Sequence, residues 1–83
     1  MDYLYSKHAK LVSETRAIKD KWVNDVIHWP ILIEKDEKDY QVTRYYGKIE
    51  EYGNRVLRVS VNLNKTPVII ISVHFDRSKK GKI

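Results

Sequence analysis

The stretch Thr66-Pro-Val-Ile-Ile-Ile-Ser-Val-His-Phe-Asp-Arg77 decides the fold. Val68 to Val73 is an unbroken run of β-branched or small residues and reads as a strand buried on both faces. A helix of that composition would lose side-chain rotamer freedom at nearly every position. Pro67 suits the first residue of such a strand, where it interrupts no ladder hydrogen bond. Ser72, His74, Asp76 and Arg77 then give the strand a polar, titratable end. That end has two readings: the base of a site, or the way a strand returns to the surface.

Working outward, the segments upstream alternate. Val56 to Val61 sets Leu57, Val59 and Val61 on one side and Arg58 and Ser60 on the other. Tyr40 to Ile49 and Ile31 to Lys35 read as two further strands, with turns at Asp36–Asp39, Glu50–Asn54 and Asn62–Lys65. Before them lie two helices. Ser6 caps the first, which runs from Lys7 through Leu11 and Val12 to Thr15. The second carries an apolar stripe of Trp22, Val23, Val26 and Ile27, starts near Asp20 and ends at His28, stopped by Pro30.

Short connections imply an antiparallel meander. The expected class is α+β: two N-terminal helices packed on one face of a four-stranded antiparallel sheet, in the order ααββββ, with the final run an inner strand. On parity alone Leu57, Val59, Val61, Ile69, Ile71, Val73 and Phe75 face the helices, joined by Tyr45 and Ile49. Arg44, Tyr46, Lys48, Arg58, Ser60, Ser72 and His74 fall on the open face. A one-residue slip in either hairpin would undo this grouping.

The 83 residues form one small domain, 1–83, with a basic tail at 78–83 expected to be mobile. Without cysteine there is neither a disulfide framework nor a zinc–thiolate site, which fits a reducing, cytoplasmic setting. Met1 to Tyr5 is neither a signal peptide nor an anchor, and no apolar run approaches a membrane span. The net charge of +5 is unevenly placed: residues 1–39 sum to −1 and residues 40–83 to +6. That excess on the sheet half suits a polyanion such as RNA, or an acidic protein; a solvated basic surface gives the same count. The histidines lack zinc spacing, the acidic residues lack a calcium-loop pattern, and no glycine loop for phosphate is present, so no metal or cofactor is expected.

Several short motifs add to this. Ser6-Lys-His-Ala9 opens the first helix and Ile27-His-Trp-Pro30 closes the second. Thr43-Arg-Tyr-Tyr46 lies in a strand, and Val68 to Arg77 with Lys79-Lys-Gly81 ends the chain. Together they resemble a bacterial and phage-borne domain family of unknown function placed in the RelE/ParE-like superfamily, related to barnase-like and colicin-type ribonucleases. The resemblance implies helices on an antiparallel sheet and RNA cleavage without metal, as the toxin of a toxin–antitoxin pair with a cognate antitoxin. His8 matches the histidine of the opening motif, and Arg44 and Tyr46 match basic and aromatic strand positions. Relatives often end on Ile-Thr-Ala-Tyr where this chain has Ile71-Ser-Val-His74: the hydroxyl is kept and the tyrosine is not.

Metal-free cleavage needs a base for the 2′-hydroxyl proton, an acid for the leaving oxygen, and cations for the phosphorane. Histidine titrates near neutrality and arginine offers planar donors to phosphate oxygens. The candidate catalytic residues are therefore His8, His74, Arg58 and Arg77. The candidate RNA-binding residues are Arg44, Tyr46, Lys48, Ser72, Lys79 and Lys80. Each has a plain alternative: His8 a surface residue, His74 a satisfied histidine at the sheet margin, Arg58 the solvent half of a strand, the lysines an electrostatic tail. The competing functions are a non-catalytic RNA- or protein-binding module of the same fold, and an interaction protein presenting Tyr3, Tyr5 and Trp29.

Overall fold

A computed structural model describes residues 1–83. Its order is β1 (Tyr3–Tyr5), α1 (Lys7–Thr15), α2 (Asp20–His28), β2 (Leu32–Lys35), β3 (Val42–Ile49), β4 (Arg55–Asn62) and β5 (Val68–Phe75), with 3-10 turns at Glu50–Tyr52 and Arg77–Lys79. The expected α+β class is found, with both helices where the sequence places them. Ser6 caps α1 by accepting the Ala9 N–H at 3.1 Å, and His28 Nδ1 closes α2 by donating to the Asn24 carbonyl at 2.8 Å.

The sheet differs from the expectation in one strand. It has five strands in the order β1-β5-β4-β3-β2, and β1 pairs parallel to β5 through Tyr3↔Val68, Leu4↔Ile69 and Tyr5↔Ile70. β5 is thus an inner strand, as its composition requires, because the N-terminus covers its outer edge. Tyr3 and Tyr5 are correspondingly half-buried against the core rather than presented outward. Their hydroxyls donate to Asn24 at 3.1 Å and to Asp20 at 2.9 Å, tying β1 to α2.

The helices cover one face, α2 over β3 and β4 and α1 over β5. The core between them includes Ala9, Val23, Val26, Ile27, Tyr45, Ile49, Leu57, Val59, Val61, Ile70 and Val73. Gly47 is a contact point: a Cβ there would lie 2.8 Å from Cγ2 of Val26, so only glycine lets α2 settle onto β3. At the β3–β4 turn Gly53 and Asn54 both take left-handed conformations (φ +68° and +56°), which glycine and asparagine tolerate best.

Parity alone misplaces two residues. Ser60 pairs with Ser72 but Val61 pairs with Ile70, so Ile71 is the extra residue of a β-bulge. N-terminal to it Val68 and Ile70 face the helices; C-terminal to it Val73 and Phe75 do. Ile69 and Ile71 are therefore not the core residues expected, and Ile70 is fully buried instead. The Ser6 N–H donates to the Ile70 carbonyl at 2.9 Å and the Ser6 hydroxyl to the Ile71 carbonyl at 3.1 Å. The first bond continues the parallel β1–β5 ladder, and the second satisfies the carbonyl of the bulge residue.

Candidate functional site on the open sheet face

Register assembles the face that the helices leave uncovered. One row crosses the sheet as Glu34, Arg44, Ser60 and Ser72, and the next as Leu32, Tyr46, Arg58 and His74. Lys48 and Val56 continue it toward the β3–β4 turn. Five of the predicted site residues, Arg44, Tyr46, Arg58, Ser72 and His74, lie together in these two rows. Strict alternation in β3 and β4 brings this about, together with a bulge that sits N-terminal to Ser72 and leaves its parity and that of His74 intact.

Two of the predicted catalytic residues are not part of it. His8 is exposed at the start of α1, in the helical layer on the opposite side of the sheet. Arg77 is exposed beyond the end of β5 and pairs with no carboxylate. Lys48 and Lys80 are exposed. Lys48 stands on the face, whereas Lys80 borders a cleft of about 290 Å³ with Arg55, Val56, Phe75, Asp76 and Arg77.

Contacts at and just before the start of the expected tail tie the chain to the face. Asp76 donates its N–H to the Val56 carbonyl at 2.8 Å, and its carboxylate accepts from the Ser78 N–H at 3.0 Å and the Ser78 hydroxyl at 2.5 Å. Lys79 then reaches Glu34 on β2 at 3.4 Å, with its ammonium 5.4 Å from the Tyr46 ring centroid. Tyr46 is consequently wholly buried on what parity makes a solvent face.

Both arginines of the face have a carboxylate beside them, whereas Lys48 has none. Arg44 Nε and Nη2 both donate to Asp36, at 3.2 and 2.8 Å. Arg58 lies 3.5 Å from Asp76. The broad positive surface suggested by net charge is thus, on this face, a set of local ion pairs. Sequence reasoning left Asp36, Asp76 and Glu34 out of the site. Asp76 shares the parity of Ser72 and His74 and was readable; Asp36 and Glu34 meet their partners only through register and the turn.

These contacts fix the protonation states. The hydrogen bond from Arg44, helped by the Lys38 and Asp39 N–H groups, lowers the Asp36 pKa from 3.8 to about 2. Asp76 is lowered chiefly by the Ser78 hydroxyl. Burial first, and then the Arg58 charge, pushes His74 below its usual value, against the opposing pull of Asp76. His74 is therefore the neutral imidazole at neutral pH. Because the two aspartates hold depressed pKa values, their stabilisation is complete above the ordinary carboxylate range and is lost as pH falls toward about 2. Thermal unfolding followed from pH 5 downward, a range of about three units, should show the midpoint dropping, with a shallower drop in Asp36→Asn. An unchanged slope in that variant would count against the pairing.

Two buried polar atoms of the face make no well-formed hydrogen bond, the Tyr46 hydroxyl and Arg58 Nε, although the Tyr46 hydroxyl lies close enough to Arg44 to help hold its guanidinium charged. Unsatisfied buried donors are costly and uncommon, and they mark places where a ligand oxygen or water is accommodated. No group of three or more His, Cys, Asp or Glu side chains gathers as a metal site. No helix is long and apolar enough to cross a membrane.

Comparison with curated proteins and with solved structures returns no match. Residues 5–75, from the second tyrosine of β1 to the last residue of β5, match the family described as a domain of unknown function, DUF4258, and the chain belongs to that family.

Proposed function

We propose that the open face binds the phosphodiester backbone of single-stranded RNA, and that the protein is a RelE/ParE-like endoribonuclease acting through its own acid–base groups, in the manner of a toxin with a cognate antitoxin. The observation that carries this reading is the juxtaposition of His74 and Arg58 on paired strands, with Arg58 Nε buried and unbonded. Neutral His74 accepts the proton of a 2′-hydroxyl. The freed oxygen bonds to phosphorus, the bond to the 5′-oxygen breaks, and that oxygen leaves as a hydroxyl after taking a proton from water. His74 returns its proton to solvent, and the products are a 2′,3′-cyclic phosphate and a 5′-hydroxyl. Arg58 and Arg44 stabilise the charge that builds on the phosphoryl oxygens.

A second reading is a binding module of the same fold that does not cleave. It is favoured by the carboxylate beside each of Arg44, Arg58 and Lys79 and by the placement of His8 away from His74. The experiment that separates the two is incubation of the purified protein with varied single-stranded RNAs in a chelator, followed by identification of product ends. Cyclic phosphate ends support cleavage; intact RNA that is nonetheless retained supports the module.

Tyr46→Phe distinguishes a ligand-directed hydroxyl from a structural one. Removing a buried hydroxyl whose polar neighbour, Arg44, makes no well-formed bond to it should change stability by no more than about 1 kcal/mol. If the hydroxyl meets RNA, affinity in a filter-binding assay should fall by about five- to tenfold. A larger loss of stability would mean that the hydroxyl is satisfied within the protein.

A further inference from the structure

Of the five arginines in the chain, Arg44 and Arg58 are held by carboxylates on the open face. The other three, Arg16, Arg55 and Arg77, take part in no ion pair. Although they are far apart in sequence, all three line one groove of about 630 Å³ between the C-terminal half of α1 and the end of β5. Its floor is apolar, with Leu11, Val12, Ile18 and Phe75, and Leu11 is 64% exposed. No carboxylate lines it. The structure thus pairs the arginines of the open face, where Lys48 alone stays unpaired, and leaves the unpaired arginines on the flank of the molecule.

We propose that this groove is a docking site for an acidic, extended segment of another protein that carries an apolar side chain. The apolar side chain seats over Leu11, and flanking carboxylates meet the guanidinium groups of Arg16, Arg55 and Arg77. An apolar centre rimmed by arginines is the usual anatomy of a protein interface, and planar guanidinium donors match carboxylates two bonds at a time. Nucleic acid fits this groove less well, because base stacking needs a free ring face. Tyr52 is stacked by Trp22 at 5.4 Å and carries the Arg55 guanidinium 4.5 Å from its centroid. Phe75 abuts both Tyr52 and Trp22. His74 lines this groove as well as the open face, so the two sites adjoin, but Arg16 and Leu11 belong to the groove alone.

The test is selection of short peptides from a random displayed library on the immobilised full chain, with affinities of the selected peptides measured by fluorescence anisotropy. Selected sequences should be enriched in Asp and Glu around a Leu, Ile, Val or Phe. Their affinity should fall at least about tenfold in Arg16→Glu/Arg77→Glu and in Leu11→Asp. The exposed Lys35→Glu, on the far edge of the sheet, should change it by less than about twofold. Thermal unfolding of each variant guards against a folding defect, and the milder Leu11→Ser replaces Leu11→Asp if the latter is unstable. Failure to select peptides, selected peptides without acidic residues, or affinity indifferent to the groove variants overturns the proposal. Loss of oligouridylate binding in Arg16→Glu/Arg77→Glu, matching any loss of peptide binding, also overturns it: the groove would then be an RNA channel, and RNA would not be confined to the open face.

Discussion

His74→Ala should reduce RNA cleavage by about 10²–10⁴-fold, the usual cost of losing one positioned proton-transfer group. The fold should be nearly unaffected, because His74 points away from the helices and lies outside the core cluster. A change in rate alone would not separate a base from a positioning residue, so the pH profile matters. Since burial and Arg58 hold the imidazole below its usual 6.5, it stays in the basic, neutral form to lower pH than a free histidine. The acid limb of the rate profile should therefore break below 6.5. Arg58→Gln should shift that limb toward higher pH, because it removes the positive charge beside the ring while leaving the burial largely in place. A wild-type protein that cleaves none of a varied set of RNAs in chelator, while folded and free of partners, would end the nuclease reading.

The largest loss of stability should follow Leu57→Ala. Leu57 is completely buried on β4, opposite Gly47 on β3 and Phe75 on β5. Truncation removes most of a branched side chain from a position flanked by strands on both sides, so the surroundings have little freedom to close the gap. Substitutions of this type cost about 2–5 kcal/mol, the transfer term plus a cavity term. Domains as a class have on the order of 5–15 kcal/mol in total, so this is a large share. Urea denaturation should show a lower midpoint at an unchanged slope. A cost below about 1 kcal/mol would mean that Leu57 does not anchor the interface between helices and sheet.

The sequence by itself determined the two helices with their boundaries, the four long strands, and the faces of β3 and β4. Each of these rests on local terms: a serine cap at Ser6, a stripe from Trp22 to Ile27, a proline after α2, and period-two alternation from Val56 to Val61. Because alternation fixes faces, it also grouped Arg44, Tyr46, Arg58, Ser72 and His74 before any pairing was known. The tertiary structure alone decided what depends on contacts between distant residues. β1 is three residues long, too short to show a period, and becomes a strand only because β5 offers it an edge some sixty-five positions away. The bulge at Ile71 interrupts the parity of β5 so that Ile70 and Val73 can both be buried. The contacts of Asp76 with Val56 and of Lys79 with Glu34 likewise leave no local trace. Charge behaves the same way. Its total is fixed by composition, but whether an arginine is neutralised, as Arg44 and Arg58 are, or left free, as Arg16, Arg55 and Arg77 are, depends on which carboxylate the folded chain brings within reach.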